Sequence, residues 1–229
     1  MMIVRVRAPF AAFRPFTAGA FRSTAPFVTP SAAYGLLMNL AGIETRLDDG
    51  SAFATLVRSD LPQVEMALGA VTRPEVQTIF QQLHNYPVGS TGENHAEDCF
   101  GGKYNIQPVR REFLSGIDVC IAVRADAEVE GAVRSAVRGE PGSGPRYGVP
   151  FLGDNAFLVD RLDELESAPP CRWYRRLAEG ETGATEGLCR LTIWIDRAEM
   201  SRTRSALFYP ESRATTEVPA GEWIGVGPS

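Results

Sequence analysis

The chain has 229 residues, a formal net charge of -5 and an apolar fraction of 44%. This length and composition are typical of a globular protein with a sizeable core, and they exclude an intrinsically disordered chain. The acidic balance excludes a protein that coats duplex nucleic acid by charge alone, because such binding needs a broad surface of lysine and arginine. The sequence has no apolar run near the length of a membrane span, so we expect a soluble, cytoplasmic protein with no membrane partner.

Positive charge is concentrated near the amino terminus. Residues 1–43 contain no acidic residue but four arginines: Arg5, Arg7, Arg14 and Arg22. Two valines alternate with Arg5 and Arg7, which predicts a strand with one buried and one cationic face. Arg14 and Arg22 follow in a phenylalanine-rich loop. Guanidinium groups bind phosphates and aromatic rings stack on bases, so this segment favours RNA binding.

A helix is predicted directly after this loop. Thr29 suits its N-cap, Pro30 suits its first turn, and an apolar stripe at helical spacing continues to Gly42. Tyr34 and Gly35 lie near the beginning of this helix, where free backbone N–H groups can receive a phosphate. Packing of Tyr34 in the core is an equally good interpretation.

The later elements complete a split βαβ pattern. Alternating apolar residues predict strands at 64–70, at 117–123 and around 156–159. Helical spacing predicts a second helix at 126–139, which a glycine ends. The order strand, helix, strand, strand, helix, strand predicts an α+β, ferredoxin-like fold, in which an antiparallel sheet is backed by two helices.

A long insertion lies in the position of the central hairpin, at about residues 72–115. Connections of this length in compact domains usually serve binding, so we expect the insertion to project from the body as a thumb. It contains the single lysine of the chain, Lys103, together with Arg110 and Arg111. We interpret these three cations as candidate RNA contacts.

The sequence predicts two structural parts. A ferredoxin-like domain with the inserted thumb occupies residues 1–165, and a smaller β-rich subdomain occupies residues 166–229. Leu191, Ile193 and Ile195 alternate in the second part and indicate a strand. The four cysteines form no CxxC pair, which favours reduced, buried thiols over disulfides.

The sequence offers one cluster of possible metal ligands, within the insertion. The cluster consists of His84, Glu93, His95, Glu97, Asp98 and Cys99. Its spacing matches no standard zinc pattern, so we predict neither a metal nor a cofactor.

A glycine-rich loop spans residues 148–155. Gly148, Gly153 and Asn155 would let backbone amides approach RNA, although the same residue types also form ordinary turns. We interpret Asp154 as a turn residue whose side chain bonds to the backbone, and not as a catalytic carboxylate.

Three of these features together resemble the CRISPR-associated Cas five family, which are RAMP-superfamily subunits of the type I surveillance complex called Cascade. The features are the opening strand with AAFRPFTAGAFRSTAPFVTPSAAYGLLMNLAG, the long insertion, and the segment YGVPFLGDNAFLVDRL. The resemblance covers roughly the first 165 residues.

The resemblance implies a noncatalytic RNA-binding subunit that binds and caps the 5′ handle of the CRISPR RNA (crRNA), in antiviral defence or RNA-guided DNA targeting. The implied partners are the crRNA, a backbone subunit against the thumb, and a large subunit that reads the target DNA nearby. Arg14 and Arg22 are the main candidate contacts. The full predicted set is Arg5, Arg7, Arg14, Arg22, Tyr34, Lys103, Arg110, Arg111, Gly148, Gly153 and Asn155.

The resemblance also raises a catalytic alternative, because some relatives cleave precursor crRNA without metal through a tyrosine, a lysine and a histidine. This chain offers Tyr34, His95, Lys103 and Tyr104. A histidine can shuttle the proton of a ribose 2′-hydroxyl while a lysine stabilises charge on phosphate. The lysine and histidine are not adjacent here, as they are in those relatives, which argues against cleavage. A third hypothesis is an interaction protein outside CRISPR defence that shares only the sheet.

Overall fold

A computed structural model describes residues 1–15, 21–47, 55–84, 106–140, 148–178, 180–181 and 186–228. Within these ranges the chain forms two α-helices, α1 (Pro30–Leu40) and α2 (Ala127–Arg138). The strands are β1 (Met2–Ala11), β2 (Phe21–Arg22), β3 (Arg46–Leu47), β4 (Leu56–Val57), β5 (Val64–Ala70), β6 (Glu75–His84), β7 (Ile106–Arg124), β8 (Arg161–Leu165), β9 (Arg172–Arg176), β10 (Cys189–Trp194), β11 (Arg204–Pro210) and β12 (Ile224–Val226). All of them except β3 and β4 belong to one sheet.

Four strands and the two helices form the predicted ferredoxin-like unit. The strands lie in the order β8-β1-β7-β5, and each pairs antiparallel with the next. In the chain, α1 lies between β1 and β5, and α2 lies between β7 and β8. This is the split βαβ arrangement, so the predicted α+β fold class is confirmed.

The helix α1 begins and ends as its sequence predicts. The backbone N–H of Ala32 donates to Thr29 Oγ1 at 3.2 Å, which caps the first turn, and Gly42 follows the helix with a φ of 72°. Leu36 and Leu37 are completely buried on the stripe that faces the sheet. Burial of each leucine contributes about 1.5–3 kcal/mol, so packing of this stripe is what stabilises the helix.

The last strand of the unit lies later in the chain than predicted. The sequence predicts a strand at residues 156–159, but this segment makes only an isolated bridge between Phe151 and Leu158. The N–H of Phe157 donates to the Asp154 carbonyl at 2.9 Å, so this segment is the return arm of a tight turn. Regular pairing with β1 begins at Arg161, which is the first residue of β8.

The carboxyl-terminal part is β-rich, as predicted. Its strands β9, β11 and β10 extend the sheet outward from β5, and β12 also pairs with β5. The division of the chain at residue 165 stays a prediction, since the sheet runs through both parts. Cys120, Cys171 and Cys189 are buried free thiols, as expected. Among the described residues, no helix is both long enough and apolar enough to span a bilayer.

Candidate nucleic-acid interface

The inserted segment forms a two-stranded hairpin where the structure describes it. Ten residue pairs join β6 to β7, from Glu75–Ser115 to His84–Ile106. Residues 75–81 of β6 are all exposed, although successive side chains of a strand point to opposite faces. The hairpin therefore has solvent on both faces of β6, which agrees with the predicted thumb. The strand β7 continues from this hairpin into the centre of the core sheet.

The arginine-rich loop lies at the base of this hairpin. The strand β1 accompanies β7 only as far as the pair Ala11–Leu114. The short strand β2 then takes the same side of β7 and pairs parallel with it, Phe21 with Arg110 and Arg22 with Arg111. The loop after β1 thus returns to the hairpin, so its cations and those of β7 lie side by side.

One row of exposed side chains crosses β2, β7 and β6. Phe21, Arg110 and Phe80 occupy matching register positions on β2, β7 and β6, so their side chains share one face. Phe80 is 82% exposed and Phe21 is 45% exposed. The Arg110 Cζ lies 5.6 Å from the centroid of the Phe21 ring. No carboxylate in the described ranges pairs with Arg110. We call Phe21, Arg110 and Phe80 the thumb row.

The opposite face of β7 carries an arginine that is already paired. Arg111 Nη2 lies 2.5 Å from Asp154 Oδ2, and the two side chains are only 12% and 9% exposed. The Arg111 Cζ also lies 5.1 Å from the Phe157 ring centroid. Arg14 reaches the same Asp154 oxygen at 3.3 Å but stays 60% exposed. Arg111 is therefore a structural residue in this state, whereas Arg14 still faces solvent.

The glycine-rich loop is held by its own turn and by the residues that directly follow β1. Asp154 Oδ1 accepts from the N–H of Ala156 at 3.0 Å, which confirms the predicted turn role of this aspartate. Gly153 has a φ of 81°, and a Cβ there would lie 2.7 Å from the Phe13 ring and would meet the Ala12 carbonyl. Gly148 accepts a hydrogen bond from Asn39 through its carbonyl. Asn155 is exposed. A role of this loop in RNA binding stays a prediction.

The cationic face predicted for β1 is neutralised in the structure. Arg5 donates to both carboxylate oxygens of Asp118 at 2.8 and 2.7 Å, and this hydrogen bonding raises the pKa of Arg5. Arg7 donates to Asp163 at 2.9 Å. The lack of acidic residues in residues 1–43 does not leave these arginines unpaired, because β7 and β8 bring the carboxylates. Arg5 and Arg7 are thus corrected from free cations to ion-paired residues.

Tyr34 belongs to the core. It is 3% exposed, its hydroxyl donates to the Pro62 carbonyl at 2.8 Å, and its ring meets Trp194 edge to face at 5.4 Å. Burial raises the pKa of Tyr34. The helix begins at Pro30, so Tyr34 does not provide a free N–H of its first turn either. The core interpretation of Tyr34 is correct, and this position offers neither a base contact nor a proton donor.

Several predicted residues lie outside the described residues. They are Glu93, His95, Glu97, Asp98, Cys99, Lys103 and Tyr104. His84 belongs to β6, where only its backbone is described. Across the described ranges, no group of three or more His, Cys, Asp or Glu side chains is arranged to hold a metal ion.

The sequence pattern indicates the phenylalanine-rich loop around Phe21 but not the other aromatic residues of this region. No sequence motif distinguishes Phe80 or the cluster of Phe10, Phe113 and Phe157, whose ring centroids lie 5.4 to 6.1 Å apart. Phe10 is 43% exposed. The signal available was the β-branched and aromatic composition of EVQTIF, which favours a strand once the insertion is treated as a hairpin.

The sequence matches a known protein family, and the fold is similar to that of solved structures. Residues 1–140 match the family described as CRISPR-associated protein (Cas_Cas5). A solved structure described as "CRISPR RNA-guided surveillance complex" is similar with a TM-score of 0.56 and 14% identity, over 96% of this chain and 92% of that chain. Another, described as "Crystal structure of Cas protein", has a TM-score of 0.46 and 14% identity, over 94% of this chain and 95% of that chain.

No curated protein matches the sequence. At 14% identity the structural likeness shows a shared fold. The family match carries more information, because it covers well over half of the sequence, including β1, the arginine-rich loop, the thumb strands and both helices. This chain belongs to the CRISPR-associated protein (Cas_Cas5) family.

Proposed function

We propose that this chain is a noncatalytic RNA-binding subunit of a type I CRISPR RNA-guided surveillance complex. In this role it binds and caps the 5′ handle of the crRNA and contacts the backbone and large subunits, in the cytoplasm, close to the target DNA. Family membership supports the CRISPR context. The fold shared with a structure described as "CRISPR RNA-guided surveillance complex" supports a place in such an assembly.

The thumb row is the observation that carries the RNA-binding proposal. A guanidinium without a carboxylate partner in the described ranges lies between two exposed phenylalanines on one face of the hairpin. Unpaired bases stack on exposed rings whatever their sequence, and arginine adds a phosphate contact. The acidic chain as a whole would repel a polynucleotide, so a localised site of this kind fits a single-stranded handle better than duplex DNA.

Further arginines lie at the base of the hairpin, on the opposite face of β7 from the thumb row. Arg22 is half-buried on β2 and forms no ion pair with any described carboxylate. Arg14 and Arg111 share the single carboxylate of Asp154, which leaves one net positive charge in that trio. Arg14 is 60% exposed and can turn from Asp154 toward a phosphate. We therefore assign the handle contacts to Arg14, Arg22 and Arg110, with Arg111 as their support.

The noncatalytic assignment has one geometric support. Tyr34 is the single described member of the alternative catalytic set, and its hydroxyl is committed to the Pro62 carbonyl in the core. A tyrosine in that position cannot exchange a proton with a ribose hydroxyl, because the donor must lie within hydrogen-bond reach of the substrate.

The test is handle binding by the purified chain and its variants. Arg22→Gln combined with Arg110→Gln is expected to weaken binding of a handle RNA by at least tenfold and to reduce its salt dependence. The matched control, Arg58→Gln with Arg202→Gln, removes the same charge from exposed arginines that pair with local carboxylates. It should bind the handle as the parent chain does.

Equal affinity of the parent chain and the Arg22/Arg110 variant would refute the assignment of these residues. The catalytic alternative is tested separately, with precursor RNA and a chelator. Specific cleavage that His95→Ala abolishes would replace the noncatalytic proposal with a metal-independent endoribonuclease.

A further inference from the structure

The β-rich part contains a gap where the large sheet divides. Two strands pair with the same edge of β5. The strand β9 pairs with it near Ala70, and β12 pairs with it near Met66. The strand β11 pairs with β9 only through Phe208–Pro210, so the first half of β11 faces β12 across open space. The resulting cavity has a volume of about 350 Å³. Such a volume suits a small ligand of nucleotide size.

The polar lining of this cavity is cationic. Arg176 and Arg204 line it together with the hydroxyl-bearing residues Thr203 and Ser205. Arg204 Nη2 donates to the Gly227 carbonyl at 2.8 Å, which fixes the guanidinium at the cavity without neutralising it. Neither arginine forms an ion pair with a carboxylate in the part of the chain that the structure describes. This separates them from Arg5, Arg7 and Arg111, which are paired.

An indole forms part of the wall. Trp223 lines the cavity, and the Arg124 Cζ lies 3.7 Å from the centroid of its ring. Arg124 is itself balanced by Glu65 at 3.9 Å. A cation stacked at this distance orients the indole, since the ring face attracts positive charge. The cavity thus combines two uncompensated guanidinium groups, two hydroxyl groups and an oriented aromatic ring.

We propose that this cavity binds a nucleoside phosphate, with Arg176 and Arg204 holding the phosphate and Trp223 contacting the base. Guanidinium groups bind phosphate oxygens in pairs, and hydroxyl groups donate further bonds to them. The bound group is either a free nucleotide or one residue of a polynucleotide. This site lies in the β-rich part and does not depend on the thumb row or on the proposed handle binding.

Trp223 provides a local reporter for the test, because Trp173 and Trp194 are buried in the core. Adenosine monophosphate and a short single-stranded oligonucleotide are titrated separately into the full chain while tryptophan fluorescence is recorded. We expect a saturable change in at least one titration. Arg176→Gln with Arg204→Gln should weaken it at least tenfold. The oligonucleotide titration is repeated in the Arg22→Gln/Arg110→Gln chain, where the change should persist.

Matched controls separate binding from folding. Arg197→Gln with Arg213→Gln removes two exposed arginines that do not line the cavity, and should leave the fluorescence change intact. Arg176→Lys with Arg204→Lys keeps the charge and should retain part of the affinity. Saturation by the mononucleotide identifies a free nucleotide as the ligand, and saturation by the oligonucleotide alone identifies a polynucleotide. The proposal is overturned if neither ligand changes the fluorescence, or if the Arg176→Gln/Arg204→Gln variant responds like the parent chain.

Discussion

Asp154 and Arg111 lie 43 residues apart in the sequence and form an ion pair with an N–O distance of 2.5 Å. This pair ties the glycine-rich loop to the face of β7 at the base of the thumb. Arg14 binds the same carboxylate from the loop after β1. One aspartate therefore joins three separate segments, and two of the predicted RNA contacts depend on it for their position.

Asp154→Asn is expected to lower the free energy of unfolding by about 2–3 kcal/mol. The substitution leaves Arg111, which is 12% exposed, without its negative partner, and a mostly buried charge that loses its partner is costly. Chemical denaturation measures the change.

The control for this substitution is Asp60→Asn. Asp60 pairs with Arg58 at 2.5 Å but is 66% exposed, so its loss should scarcely alter unfolding because solvent screens the pair. Equal destabilisation by the two substitutions would contradict a structural role of Asp154.

Gly153→Ala is expected to destabilise the fold much more than Gly148→Ala. Both glycines have a positive φ, 81° and 85°, so an alanine at either position carries backbone strain of about 1 kcal/mol or more. At Gly153 the new Cβ would also lie 2.7 Å from the Phe13 ring, whereas at Gly148 nothing lies within 4 Å. A difference of at least about 1–2 kcal/mol between the variants is expected in denaturation. Similar stabilities would show that the loop does not pack on Ala12 and Phe13 in this way.

The elements were predictable where their signals are local. Thr29 and Gly42 mark the ends of α1, and alternating valines mark β1, because capping and burial on one face act within a few residues. The ion pairs of Arg5 and Arg7 were not predictable. Their carboxylates, Asp118 and Asp163, are more than a hundred residues away and reach β1 only through the sheet order.

The candidate site shows the same division between local and long-range information. The arginines and phenylalanines of the loop predict an RNA-binding segment near the amino terminus. In the structure, Arg22 of this loop lies beside β7. The thumb row depends on the register of three strands, and that register brings together Phe21, Phe80 and Arg110, which are far apart in the sequence. Phe80 therefore could not be matched with Arg110 from the sequence.

Glu222 is expected to make stability depend on pH. It is 4% exposed, and its Oε2 atom has no hydrogen-bond partner. Burial raises the pKa of Glu222 to about 7 from 4.5, with Glu211 and Glu181 adding to the shift and Arg175 opposing it. The folded state keeps a proton that the unfolded state loses. The stabilisation is thus complete below pH 4.5 and is lost as the pH rises through about 7.

Glu222→Gln should remove this dependence. The variant is expected to be more stable than the parent chain at pH 8, by up to about 3 kcal/mol, and to approach it at pH 4. Glu217→Gln, at an exposed position, is the control and should leave the pH profile unchanged. Parallel profiles for the parent chain and Glu222→Gln across this range would contradict the buried, protonated state.

Phe80→Ala tests whether the thumb row stacks on bases. The side chain is 82% exposed, so its loss should leave the free energy of unfolding nearly unchanged. Stacking of a base on an aromatic ring contributes about 1–3 kcal/mol, so handle RNA should bind this variant roughly 5- to 160-fold more weakly. Ile79→Ala is the matched control, because Ile79 is the neighbouring residue, is 43% exposed and points to the opposite face of β6. If Phe80→Ala binds RNA as the parent chain does, the Phe80 ring does not stack on a base and is free to contact a neighbouring protein. In that case only the arginines contact the handle.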